Sequence, residues 1–158
     1  MAFTVDVQAS KRFKTKAPIK KVYELVSDVP KSAGHFPKRE KLIDLGGNAY
    51  RWEMEKIGLE RFSIQTIYAC QYAASKKDWT VAWTPIEGVG NARIKGKWLL
   101  KAAKDGGTQC SFSTSGELSM PLPGMVKYLV SGLLEREFSS LIEEYLDNIK
   151  SALANSGQ

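Results

Sequence analysis

The last third of the chain, Pro121 to Ala154, reads as one long amphipathic segment, and the rest of the protein has to provide something for it to lie on. Apolar residues recur at Val126, Val130, Leu134, Leu141, Tyr145, Ile149 and Leu153, with Leu129, Leu133, Phe138, Ile142 and Leu146 beside them. Steps of three and four place these side chains on one broad stripe of a helix. Lys127, Arg136, Glu143, Asp147 and Lys150 fall on the opposite, solvent side. Pro121 and Pro123 stand where a helix begins, the one part of a helix that tolerates proline. At about 100° per residue the stripe drifts between its early and late halves. Gly132 lies between those halves and weakens the helix locally. A helix this long and this apolar on one side needs a wide floor.

Almost everything upstream reads as one sheet. Phe3, Val5, Val7, Ala9 and Phe13 alternate with polar residues, as in a half-buried strand. Ala17-Pro18 ends that strand and opens a helix with Ile19, Val22, Tyr23 and Val26 on one face. Asp28-Val29-Pro30 ends the helix, and Lys31 to Phe36 forms a second short one, closed by Pro37. Six strands follow: Leu42–Leu45, Ala49–Ile57, Glu60–Ala73, Trp79–Thr84, Ala92–Leu100 and Thr108–Leu118. Their connections are Gly46-Gly47-Asn48, Gly58, Ser75–Asp78, the glycine-rich Glu87–Asn91 and Lys104–Gly107. Short connections require an antiparallel meander. A sheet with one apolar face needs a cover, and the terminal helix is the only element large enough.

A chain of 158 residues with 43% hydrophobic residues fits a single domain spanning residues 1–158. It has no apolar run of about 18 residues that would cross a membrane. The N-terminus alternates and so does not read as a signal peptide, which points to a cytoplasmic protein. Cys70 and Cys110 match no metal spacing. They fall on strands three places apart, roughly 14 Å, beyond the reach of a disulfide. They read as small buried hydrophobes.

The element order and several local strings resemble the START-like, helix-grip superfamily, in its branch of polyketide cyclase/dehydrase and lipid-transport proteins. The strings are Ala17-Pro18 with Val22-Tyr23-Glu24-Leu25-Val26-Ser27-Asp28, then His35-Phe36-Pro37, Trp83-Thr84-Pro85, Gly107-Thr108 and the long closing helix. The resemblance covers essentially the whole chain. It implies an α+β helix-grip fold, a strongly curved seven-stranded antiparallel sheet wrapped around a long C-terminal helix, with two short helices after the first strand. It also implies an apolar cavity between sheet and helix, of the kind that holds lipids, sterols, quinones or polyketides. No catalytic motif of the family maps onto these residues.

The candidate ligand-binding set is Trp52, Met54, Thr66, Tyr68, Trp83, Ile94, Trp98 and Phe112 from the sheet, with Val126, Leu129, Val130 and Leu133 from the helix. The four tryptophans, Trp52, Trp79, Trp83 and Trp98, are either core or the aromatic wall of a cavity. In the inward phase the polar residues are Thr66, Tyr68, Cys70, Tyr72 and Thr114, with no acidic residue or histidine away from a strand end. Glu53, Glu55 and Glu117 are out of phase. Paired-carboxylate and Ser-His-Asp chemistry are therefore disfavoured, and no catalytic residue, metal ligand or cofactor is assigned. The lone histidine, His35, reads as a surface residue. The reading is a binding or carrier protein for a hydrophobic small molecule; the alternative is a cyclase/dehydrase-type enzyme using the same cavity. A net charge of +6 suits transient contact with an anionic membrane surface. Nucleic-acid binding is disfavoured because the strand aromatics lie in the phase opposite the basic residues. The sequence carries no signal of oligomeric state. Ligand entry is expected between the helix start, Pro121–Val126, and two loops, Lys31–Pro37 and Glu87–Asn91.

Overall fold

In the computed structural model of the protein, residues 3–59 and 62–156 are described. The first strand, β1 (Phe3–Thr15), is followed by two short helices, α1 (Ile19–Ser27) and α2 (Val29–Ala33). Strands β2 (Arg39–Gly46), β3 (Ala49–Met54), β4 (Ile57–Leu59), β5 (Phe62–Ile64), β6 (Ile67–Ser75), β7 (Thr80–Pro85), β8 (Ala92–Ala102) and β9 (Thr108–Met120) come next. A single 3-10 turn, Gly124–Val126, leads into the long helix α3 (Lys127–Ser156). Seven strands form one open sheet in the order β1-β9-β8-β7-β6-β3-β2, and β4 and β5 form a separate hairpin. Every pairing is antiparallel. The chain thus has the α+β helix-grip architecture that its element order implies.

Several boundaries differ from the sequence reading, and three of the differences bear on the site. The second short helix begins at Val29, not Lys31. Asp28 caps it by accepting a hydrogen bond from the Lys31 amide at 3.2 Å, and Pro30 falls in its first turn, where its missing N–H costs nothing. The strand expected over Ala49–Ile57 stops at Met54, and Ile57 starts the small hairpin. The strand expected over Glu60–Ala73 is interrupted at Gln65-Thr66; its first two residues, Glu60 and Arg61, lie outside the described residues. Asn91 holds the break open. Its Oδ1 accepts from the Ile67 amide at 2.9 Å, and its Nδ2 donates to the Gln65 carbonyl at 2.8 Å. The alternating phase continues across the break, so periodicity alone does not reveal it.

The drift of the α3 stripe has a structural counterpart. Val130 and Leu134 pack with Val5, Val7, Ile94, Leu118 and Met120. Ile142, Tyr145, Leu146, Ile149 and Leu153 pack with Val22, Val26, Val81, Trp98 and Phe112. A third cluster joins α2 to β3 through Val29, Ala33, Tyr50, Trp52 and Met54. Phe138 and Trp83 touch both of the first two clusters. At the far end of the sheet the buried Thr108 hydroxyl donates to the Ala17 carbonyl at 2.8 Å, tying the β8–β9 turn to the corner before α1.

Cys70 and Cys110 are buried and free. Burial pushes both thiols up to about 12. In an unfolded chain a thiol ionises near about 8.5. Above that pH the unfolded state loses protons that the folded state keeps, so the thiols make stability fall as pH rises toward about 12. Below it the contribution is fully present. We expect neither thiol of the native protein to react with an aromatic disulfide reagent at about pH 8, and both to react after denaturation. Two thiols reacting at once in native protein would contradict this burial.

Candidate functional site

The three apolar clusters do not close on one another. They leave a cavity of about 390 Å3 between the concave face of the sheet and the middle of α3. Trp52 and Met54 of β3, Tyr68 and Tyr72 of β6, Trp83 of β7, Ile94 and Trp98 of β8, and Phe112 and Thr114 of β9 supply the sheet wall. These positions share one phase of the pleat, and cross-strand pairing sets them side by side: Trp52 faces Tyr68, Tyr72 faces Trp83, and Trp98 faces Phe112. Leu134, Phe138, Leu141, Ile142 and Tyr145 supply the helix wall. Val29, Ser32, Ala33 and Phe36 close the end beneath α2.

The rings form a continuous aromatic lining. Trp52 stacks on Tyr68 with an 8° angle between planes and 5.8 Å between centroids. Trp83 lies 5.9 Å from Tyr72 and 5.7 Å from Phe112. Trp79 is not part of the lining. Its backbone takes the left-handed region at φ 55°, one residue before β7, and its ring meets Tyr23 of α1 edge-on.

The polar groups inside are hydroxyls, and most are already engaged. Tyr145 and Ser32 share a hydrogen bond at 2.5 Å. The Trp52 indole donates to the Tyr72 oxygen at 3.0 Å, which leaves the Tyr72 proton free to donate elsewhere. Thr114 donates to the Lys95 carbonyl at 3.0 Å. The Tyr68 hydroxyl has no hydrogen-bond partner among the described residues, and Tyr68 lines the cavity. Burial raises Tyr68 and Tyr72 well above the ordinary phenol range, and Tyr145 to about 12. All three therefore stay neutral donors at physiological pH.

Charge is confined to the rim. Among the described residues, Lys38, Glu55, Lys56 and Glu137 are the charged members of the lining, and the first three are exposed. Lys38 joins three elements there. Its backbone is left-handed at φ 57°, its carbonyl accepts from the Glu55 amide at 2.8 Å, and its Nζ meets Glu137 Oε1 at 2.6 Å. The hydrogen bond to Glu137, and then that carboxylate's charge, raises the Lys38 ammonium above its usual range. The Lys38 side chain remains 54% exposed, so water screens the pair and it contributes little to stability.

Of the residues singled out from sequence, Trp52, Met54, Thr66, Tyr68, Trp83, Ile94, Trp98 and Phe112 all come together around this space. Val126, Leu129, Val130 and Leu133 do not. They lie on the 3-10 turn and the first turns of α3, where Val130 is sealed against β1 and β9 while Leu129 is 58% exposed. The helix first meets the cavity at Leu134, one turn beyond Val130. Ser32, Phe36, Tyr72, Glu137, Phe138 and Tyr145 also line the space, beyond the set the sequence singles out. Tyr72 is in phase with Tyr68, and Phe138 and Tyr145 lie on the helix stripe, so the signal was present for these three. Glu55, expected to face solvent, stands exposed at the rim. His35 is outside the lining; its carbonyl accepts from Asn148 at 2.9 Å.

The expected entrance also moves. Lys31–Pro37 contributes Ser32, Ala33 and Phe36, but neither Glu87–Asn91 nor Pro121–Val126 reaches the cavity. The glycine loop is pinned by the Asn91 bonds described above. The exposed members of the lining place the opening between Lys38, the Glu55–Ile57 segment and Glu137. No cluster of three metal-binding side chains occurs among the described residues, and no helix among them is long and apolar enough to cross a membrane.

No protein-family model matches the chain, and no curated protein matches it. Solved structures do. The chain has the START-like helix-grip fold. It is similar to a START superfamily protein from Mycobacterium smegmatis, with a TM-score of 0.67 at 12% identity over 94% of this chain and 97% of that one. The ZhuI aromatase/cyclase from Streptomyces sp. R1128 gives 0.63 at 13% identity over 96% and 93%. Norcoclaurine synthase from Thalictrum flavum, as a point mutant with a transition-state analogue, gives 0.64 at 15% identity over 99% of each chain.

Proposed function

We propose that this protein binds and carries a compact, uncharged hydrophobic small molecule in the cavity beneath α3. The observation that carries this reading is the distribution of polarity. Among the described residues, an aromatic and aliphatic enclosure of about 390 Å3 has its charged side chains only at the rim and an unengaged phenol, Tyr68, in its wall. That volume falls in the range of small-molecule pockets. A charged group buried there would find no counter-charge, whereas a carbonyl or hydroxyl oxygen would find the Tyr68 proton.

The test is displacement of an environment-sensitive apolar dye by lipids extracted from the native host. Tyr68→Phe keeps the shape and removes the donor. It is expected to weaken an oxygen-bearing ligand by about three- to tenfold and to leave a purely hydrocarbon dye unaffected. Wild-type protein that binds no dye, or a Trp83→Ala variant that keeps full affinity, would sink the carrier reading.

A second reading is a cyclase/dehydrase-type enzyme. Two things favour it: the free Tyr68 donor inside an aromatic enclosure, and the likeness to an aromatase/cyclase and to norcoclaurine synthase. Here Tyr68 would polarise a carbonyl of an enolisable chain and the walls would fold that chain. Recovery of a bound ligand chemically unchanged after prolonged incubation excludes this reading for that ligand.

A further inference from the structure

The start of α3 carries the three most exposed large apolar side chains on the described surface. Met125 is 89% exposed, Tyr128 92% and Leu129 58%. They sit together on the 3-10 turn and the first turn of the helix, just after Pro121 and Pro123. Scattered exposed hydrophobes are ordinary, but a contiguous group at an exposed helix start marks a contact surface.

Its position relative to the cavity is informative. Leu129, the half-buried Leu133 and Glu137 follow one another at steps of four along one side of α3. Glu137 already stands at the rim. From Tyr128 to Glu137 is roughly 13 Å along the helix axis. One side of the helix thus links the tip to the rim of the opening.

We propose that this tip docks on an anionic lipid bilayer, and that the cavity exchanges its ligand there. The second clause rests on the carrier reading; the first does not. A second copy of the chain fits the patch less well. Even at about 150–200 Å2 each, three side chains fall short of the roughly 800 Å2 per partner that a stable pair of proteins buries. A bilayer needs no matching surface. Tyrosine suits the headgroup boundary, where its ring is buried and its hydroxyl stays wet. Lys127 is exposed on the same turn, and the chain as a whole carries +6, which favours anionic headgroups.

The experiment is flotation with vesicles of phosphatidylcholine containing about one-third phosphatidylglycerol. Wild-type protein is expected to float with them. The Met125→Asp/Tyr128→Asp/Leu129→Asp variant is expected to lose at least about tenfold in partition. Its affinity for the apolar dye stays at the wild-type value, because none of the three lines the cavity. Retained dye binding also shows that the variant is folded, and acidic residues are welcome at a helix N-terminus. Wild-type protein that does not float, or a variant that floats equally well, overturns docking. A wild-type dimer that the substitutions convert to monomer also overturns it, by assigning the tip to a second copy. If wild-type protein floats but binds no dye, docking stands and ligand exchange falls with the carrier reading.

Discussion

Trp98→Ala is expected to cost about 3–5 kcal/mol of folding stability, the range for removing a large buried ring. Trp98 is only 1% exposed. Its ring meets Phe112 at 4.9 Å, Phe13 at 6.1 Å and Tyr145 at 6.3 Å. It therefore joins β1, β8, β9 and α3 at one point, and no neighbour can collapse into its place without dragging a strand. Trp83→Ala removes a ring of the same size from a partly exposed wall position. It enlarges a space that already exists, so it is expected to cost less stability and more affinity for the apolar dye. Denaturant midpoints and dye titrations on both variants measure the split. If Trp83→Ala proves the more destabilising of the two, this ranking of two wall residues by how tightly they are packed is wrong.

A second large effect is expected at Gly90. The residue has φ +69°, and a Cβ built on it would lie 2.0 Å from the Ile67 carbonyl oxygen and 2.5 Å from its carbon. Gly90→Ala therefore meets both the left-handed penalty of about 1–2 kcal/mol and a collision with backbone that Asn91 holds in place, an overpacking cost of about 1–3 kcal/mol. The sum is about 3 kcal/mol. Gly88 is the natural control. It has φ +80° with nothing within 4 Å of its Cβ, so Gly88→Ala should show only the conformational part. Equal, small losses in the two variants would mean that the loop yields and that the close approach to Ile67 carries no weight.

That pair of glycines also marks where the sequence was legible and where it was not. Two glycines in five residues read as freedom, and hence as a gate. One of them is instead a consequence of packing, since the β7–β8 loop runs across the Ile67 carbonyl with no room for a side chain. Such close approach involves a residue more than twenty positions away, and nothing local records it. The strand phases were legible because pleating is local: alternation placed Trp52, Tyr68, Trp83, Ile94, Trp98 and Phe112 on one face, and the structure brings them round one space. The helix side was less so. The stripe on α3 names every apolar residue but not the turn at which the sheet curves away from it. Val130 and Leu134 are one turn apart on the same stripe, yet the first is sealed against β1 and β9 and the second lines the cavity. The rim was hidden for a related reason. Glu137 is one acidic residue among several on the helix, and only its meeting with Lys38, ninety-nine positions earlier, distinguishes it.

Gly96 sits directly opposite Trp83 across the β7–β8 pairing, and the indole folds over it. A Cβ there would stand 2.3 Å from the ring. The orientation of Trp83, and with it the depth of the cavity on that side, is therefore dictated by the absence of a side chain at a position that does not itself line the space. Divergence at this one site would tilt the indole inward and shrink the accommodated molecule while leaving every lining residue the same. Two proteins of this fold with identical walls need not enclose the same space. A comparison of their selectivity has to read the layer of small residues beneath the aromatics as well as the aromatics themselves.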